Sequence, residues 1–335
     1  MKKIYFALLG ACIVLGSCST GEAASSAIAQ MFGGSSQALL FLDCKAVSED
    51  EIVFNFSQPV TVRSVSFDPV LEIASVEDGK TVRVKLKKSP VPAGVQFTAD
   101  LLAEDADKNS INVLVPFRSR NNRMPSLVIS ELRTENTKPR SEFIELKMKT
   151  AGNLGAVRVF IASNNKEPVI YEFKPVEVKK DEYVVLHLRT VEEACKDEYG
   201  SNLDESGGAN SSSTARDFWV QGNAKLLRKT DVVYLLDQDD KALDAVIISE
   251  NPDLWWNKDY FAEAADFLYQ QGAWKSVDGK ICRPADAVLS GGTTNTRTIC
   301  RDETAGNSKT AANWYITVTG GATPGSLNNA SRYLN

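Results

Sequence analysis

The stretch TDVVYLLDQDDKALDAVIISE, residues 230–250, decides the fold, because two apolar β-rich runs flank a polar, aspartate-rich turn and read together as one hairpin. A hairpin alone is barely stable in water. Its outer residues need a sheet to join and its inner ones a second layer to cover them, so the neighbouring runs must supply both. Upstream, β-rich runs occur at 127–132, 142–147, 156–162, 169–173 and 182–189. In YVVLHLR, residues 183–189, Val184, Leu186 and Leu188 face one way and Tyr183, Val185 and His187 the other. Both sets are largely apolar, which predicts a strand covered on both sides.

Further upstream the pattern repeats with shorter spacing. Runs at 39–47, 51–56, 60–67, 70–76, 81–86, 96–102 and 111–117 are separated by turn signals such as Glu77-Asp78-Gly79-Lys80 and Pro92-Ala93-Gly94. Val82, Val84 and Leu86 alternate with Arg83, Lys85 and Lys87, so one face is buried and the other wet. About seven strands in about 80 residues is the count of an immunoglobulin-like sandwich. SRNNRMPS, residues 119–126, has no apolar periodicity and carries a proline, which places a boundary there. The expected architecture is all-β, with two Ig-like β-sandwich domains in tandem at 39–120 and 126–335. The second carries long insertions that include a short helix.

The N-terminus reads as an export signal over residues 1–17. Lys2 and Lys3 precede an apolar run, 4–15, too short for a comfortable transmembrane helix. Leu15-Gly16-Ser17-Cys18 resembles the bacterial lipobox, which implies that the Cys18 thiol accepts a diacylglycerol and becomes the first mature residue. The alternative is an ordinary signal cut near Ala23 or Ala24, with Cys18 discarded. Because two or more acyl chains hold a protein stably where one does not, the modified chain would be tethered to a membrane. Residues 18–38, small and polar, then form a flexible tether, and Ser19 after the cysteine is permissive for the outer membrane. The expected location is the cell envelope.

The whole chain has 38 basic and 43 acidic residues, a net charge of −5, and loss of Lys2 and Lys3 takes it to about −7. Nucleic acid is therefore not an expected partner, and Arg118, Arg120 and Arg123 read as a solvated linker. Of the six cysteines, Cys12 is lost with the signal and Cys18 is lipidated, leaving Cys44, Cys195, Cys282 and Cys300. Cys282 with Cys300 is the first choice of disulfide, since the Gly- and Thr-rich segment between them has little core of its own and closure would add up to ~3 kcal/mol.

Two family resemblances follow from the strands. Val53-Phe54-Asn55-Phe56-Ser57-Gln58-Pro59-Val60, Asp78-Gly79-Lys80-Thr81-Val82, Pro92-Ala93-Gly94 and the turn at 105–109 resemble bacterial Ig-like domains of surface proteins. That resemblance implies a spacer or presentation module and no catalysis. Leu127-Val128-Ile129-Ser130-Glu131-Leu132, Glu142-Phe143-Ile144-Glu145-Leu146, Asp181-Glu182-Tyr183-Val184-Val185-Leu186, the hairpin at 231–248 and the ending Asn313-Trp314 through Thr323-Pro324-Gly325-Ser326-Leu327-Asn328 resemble the lamin-tail-type domain, an Ig-like sandwich. Long insertions occupy 190–221 and 251–298.

Insertions on a rigid sandwich are where binding function is expected. The first contains ESGGANSSST, residues 205–214, and reads as a mobile loop. In the second, Asn257 can cap a helix running through Leu268, with Phe261, Ala264, Ala265 and Leu268 on one face. Trp255, Trp256, Tyr260 and Trp274 surround it and form the candidate ligand patch, for an envelope protein or glycan. The bland alternative is that these aromatics pack the helix against the sandwich.

No catalytic residue is expected. His187, the only histidine, lies mid-strand, and no Gly-x-Ser-x-Gly elbow accompanies it. Zinc-ligand spacing is absent, so no metal or other cofactor is expected. Asp237, Asp239, Asp240 and Asp244 offer oxygen ligands suited to calcium, but without EF-hand spacing they read as turn residues. The functional expectation is a membrane-anchored, non-catalytic binding or structural module. The alternatives are a carboxylate-dependent hydrolase and a pure spacer within a surface assembly.

Overall fold

The computed structural model describes residues 38–87, 91–208 and 210–334; the expected signal peptide, the lipidation candidate Cys18 and residues 18–37 of the expected tether lie outside them. The chain forms two compact units, the first built on Ile52–Lys87 and Thr98–Val115, the second on the chain from Pro116 onward.

The first unit holds β1 (Phe41–Ala46), β2 (Glu51–Asp68), β3 (Ile73–Glu77), β4 (Gly79–Leu86), β5 (Gln96–Asp105) and β6 (Ser110–Arg118). They pair in the order β3-β4-β2-β5-β6, with β1 also on β2. Six strands stand where seven runs were read, because 51–56 and 60–67 belong to one strand of 18 residues. Pro59 does not end it; the irregularity falls later, a register shift between Val62 and Ser64. In the first half of β2, Asn55 donates to Asp43 on β1 (2.8 Å) and accepts from Thr81 on β4 (2.9 Å). The second half pairs with β5. Alternation in β4 and β5 turns Val82, Val84, Leu86, Phe97, Ala99, Leu101 and Ala103 inward.

The second unit is a sandwich. Its strands are β7 (Leu127–Arg133), β8 (Phe143–Met148), β9 (Gly152–Asn153), β10 (Arg158–Ile161), β11 (Val169–Glu172), β12 (Glu177–Val178), β13 (Tyr183–His187), β14 (Arg216–Trp219), β15 (Asp231–Leu236), β16 (Ala242–Ser249), β17 (Val288–Leu289), β18 (Ile299–Arg301) and β19 (Trp314–Ile316), with one helix among the described residues, α1 (Asp259–Gln270). One sheet runs β14-β13-β8-β7-β18-β19 and the other β11-β10-β15-β16-β17; β12 and β9 make a small ribbon. The β15–β16 hairpin is central to its sheet and buried on both faces, because α1 packs onto it through Phe261, Ala264, Ala265 and Leu268. Lys258 rather than Asn257 occupies the cap position of the helix, without a side-chain cap bond. Each fully buried Leu, Ile, Val or Phe of this core contributes roughly 1.5–3 kcal/mol.

Charged groups also cross the core. Asp244 on β16 accepts from Arg301 on β18 (2.5 Å) and from the Ile129 amide on β7 (2.7 Å), so one carboxylate ties the two sheets together. Glu131 on β7 and Glu145 on β8 stand directly opposite one another, and both are fully buried. The C-terminal segment lies over them: the Gly325 amide donates to Glu145 (2.6 Å), while the Thr323 amide (3.2 Å) and the Thr298 hydroxyl donate to Glu131. Gly325 has φ +80°, and a Cβ there would run into Ser212, Thr214 and Ala215, so only glycine brings the amide to the carboxylate.

Burial first, and the Glu131 charge second, push the Glu145 carboxyl well above its ordinary 4.5. A carboxyl raised in the fold destabilises it progressively as pH climbs above 4.5, the range in which the unfolded chain ionises freely. Glu145→Gln should therefore unfold at a higher urea concentration than the parent at pH 8, with the gap closing toward pH 4; a gap independent of pH would contradict the burial of an ionisable Glu145.

Candidate functional site

The four aromatics of the second insertion do not share a surface. Trp274 is 1% exposed and donates from its indole to the Asp286 carbonyl (3.2 Å), inside the main core. Trp256 is half-buried, donates to the Cys282 carbonyl (2.9 Å) and sits against Phe261. Tyr260 packs edge-on to Phe261 at 4.6 Å between centroids. Only Trp255, 67% exposed, faces solvent, with the Arg283 guanidinium 5.2 Å from its ring. The expected ligand patch is thus corrected: three of its members anchor α1 and the loop after it to the hairpin, because an amphipathic helix of 12 residues needs such apolar cover.

The expected disulfide is corrected as well. Cys282 and Cys300 are both free thiols. Cys300 lies in β18 beside Thr298 and Glu131, where burial pushes its pKa far up, and Cys282 is packed near α1 with its thiol pushed up to about 12. The segment between them is not without a core: Ala287, Val288 and Ile299 are buried in the main cluster.

The first insertion is tied down rather than loose. Asp217 accepts from the Ser212 amide (2.7 Å), and Glu198 accepts from the amides of Asp217 (2.8 Å) and Ser206 (2.9 Å). Trp219 donates to Ser206 (2.8 Å) and stacks on His187 at 3.8 Å. β14, within this insertion, joins β13 as a parallel edge strand, and Ala215 packed with Val185 and Trp219 stacked on His187 cover the second face of β13. His187 is fully buried; its neutral ring donates from Nε2 to Asp217 (2.8 Å) and accepts at Nδ1 from Asn210 (3.2 Å). Burial outweighs the Asp217 bond and lowers its pKa. Ser141 Oγ is 3.5 Å from Nδ1 and is itself buried, so the Ser-His-Asp succession is a sealed packing element.

Asp237, Asp239 and Asp240 are likewise engaged. Asp237 caps its own turn at the amides of Asp239 (2.8 Å) and Lys241 (3.0 Å), Arg120 holds Asp239 with two bonds, and Arg158 holds Asp240 (2.7 Å). Among the described residues no cluster of three or more His, Cys, Asp or Glu is placed to hold a metal ion.

What the sequence did not reveal is a cavity of about 810 Å³ between residues 175–182 and the loop at 199–203. Its apolar wall is Pro175, Val176, Val178, Tyr199 and Leu203; Lys179, Lys180 and Arg216 face Glu177, Asp181 and Glu182 around it. Arg216 fixes the far side by donating to Glu182 (2.9 Å) and to the carbonyls of Glu198 (2.8 Å) and Gly200 (2.6 Å). Tyr199 stands at the rim, 39% exposed, its ring on Phe218 and its hydroxyl donating to Asp197 (3.0 Å). The volume falls in the roughly 300–1,000 Å³ typical of small-ligand sites. Its lining comes from four places between residues 153 and 216, none of which carries a motif.

Trp274→Ala should cost about 3–5 kcal/mol of unfolding free energy, whereas Trp255→Ala should stay within about 0.5 kcal/mol. Equal losses in chemical denaturation would restore the exposed-patch reading.

Comparison with known proteins gives relatives without an assigned role. A Treponema pallidum (strain Nichols) protein described as uncharacterized is 26% identical over 290 residues, covering 82% of this chain and 70% of its own. Two solved structures are similar at low superposition: the N-terminal part of the bacterial S-layer protein SbsC (12% identity, TM-score 0.25, 68% of this chain) and a DUF4876 family protein from Bacteroides thetaiotaomicron VPI-5482 (10% identity, TM-score 0.29, 82% of this chain and 90% of that one). The chain spans about half, 47%, of the SbsC structure. Residues 125–316, more than half of the chain, match the family described as "TP_1001_2nd: protein second domain", and the chain belongs to that family.

Proposed function

We propose that this protein is a lipid-anchored, non-catalytic binding module of the cell envelope, and that its second unit, a lamin-tail-like sandwich, recognises an envelope glycan in the 810 Å³ cavity beside Tyr199. That cavity is the observation that carries the reading. It offers a partly exposed aromatic ring for stacking on a sugar and balanced charges in Lys179, Lys180 and Arg216 against Glu177, Asp181 and Glu182, which suits a neutral polar ligand better than an ion. Elsewhere in the unit the buried ionisable groups are paired with one another, His187 with Asp217, Glu142 with Arg189 and Asp244 with Arg301. The anchor reading rests on the basic and apolar leader and on Leu15-Gly16-Ser17-Cys18.

The mature chain, purified from membranes, should carry a diacylglycerol mass at Cys18. It should be retained on envelope polysaccharide, and Tyr199→Ala should weaken retention about tenfold, or roughly 1.4 kcal/mol, while Trp255→Ala leaves it unchanged. Retention indifferent to Tyr199, or loss through Trp255 instead, would remove the cavity from the proposal; an unmodified first residue would remove the anchor.

A further inference from the structure

A second, smaller cavity of about 270 Å³ opens elsewhere on the second unit, between the turn after β7 and the chain leaving β13. Lys138, Arg140 and Arg189 line it, and no aspartate or glutamate does. In a chain of net charge −5 this local excess of cations stands out. The turn that presents two of them is closed by paired backbone bonds, Thr137 N to Arg140 O (2.9 Å) and Arg140 N to Thr137 O (2.8 Å). The third, Arg189, is buried and held rigid by two bonds to Glu142 (2.6 Å each) and one to the Asn223 carbonyl (2.9 Å). Glu142 answers the charge of Arg189. Neither Lys138 nor Arg140 has a carboxylate partner among the described residues.

A fourth cation lies behind this wall. Arg133 donates to the Ser141 carbonyl (3.3 Å), its Nε is buried without a partner, and the neighbouring Arg140 charge adds to the burial that lowers its pKa to about 10. Like charges gathered around a concave space repel one another unless a counter-ion enters, and the repulsion is screened less in a recess than on open surface. Sparse apolar lining and a volume under that of a drug-sized site favour a small ion over an organic body.

We propose that this cavity binds a phosphoryl group, with the Lys138 ammonium and the Arg140 guanidinium as its ligands and the Arg189 side chain, fixed and neutralised by Glu142, as its rigid wall. The site is separate from the Tyr199 cavity, and its occupant is either inorganic phosphate or the phosphate of a sugar phosphate.

The test is calorimetric titration of the full mature chain with inorganic phosphate, and separately with glucose 1-phosphate, against chloride at matched ionic strength. Saturable binding of either phosphate is expected, weakened about tenfold or more in Lys138→Ala/Arg140→Ala. Both side chains are exposed, so the variant should keep the parent's circular dichroism. Lys275→Ala/Lys280→Ala, exposed and lining neither cavity, is the control and should bind as the parent does. Tighter binding of the sugar phosphate identifies an organic headgroup as the source, and equal binding identifies the free ion. Heats that chloride reproduces, or equal weakening in the two double variants, would overturn the site.

Discussion

Glu131 and Glu145 face each other across neighbouring strands, both fully buried, and the second unit is arranged around that difficulty. Two buried carboxyls side by side cannot both be charged without strong repulsion, and each oxygen left without a donor costs on the order of 1–3 kcal/mol. The donors come from Thr298 at the start of β18 and from the amides of Thr323 and Gly325. Bringing donors to Glu131 and to Oε2 of Glu145, whose Oε1 stays buried without a partner, thus dictates where the last strands and the C-terminal segment of the domain must run. Asn328 reinforces this by donating to the carbonyls of Ser130 (3.1 Å) and Arg301 (3.0 Å).

The same economy of polar contacts explains the insertions. The chain from the end of β13 through β14 covers the outer face of β13 with Trp219 and Ala215, and its Glu198 and Asp217 side chains stand in for sheet partners by accepting from backbone amides. The chain between β16 and β18 covers the hairpin with α1. Each insertion therefore completes a layer that the short strands could not close alone, and the Tyr199 cavity arises where one such cover meets the ribbon strand β12.

Much of the β architecture was legible because alternation reports burial directly: the hairpin at 230–250, the doubly covered β13 and the face of α1 all follow from side-chain periodicity. The errors share a cause. The runs 51–56 and 60–67 were read as two strands because local sequence does not show that the neighbouring strands let one strand continue through 57–59. Residues 205–214 were read as loose because glycine and serine look alike whether or not Glu198, Asp217 and Trp219 fasten them. Trp274 was placed on a surface and Cys282 in a bridge because pairing depends on contacts across long stretches of chain. Both cavities went unseen for the same reason, since their walls come from segments without a shared motif.

The clasp over Glu131 has one more effect, on the order of events during synthesis. Its donors sit 167 and 192 positions beyond the carboxylate they serve, and β7 finds its second neighbour only when β18 has been made. A growing chain that has reached the hairpin still has an open strand edge and two acids lacking partners, so the sandwich cannot lock before nearly all of it has left the ribosome. Such delay leaves the sandwich unlocked, one edge still open to pairing, through most of its synthesis.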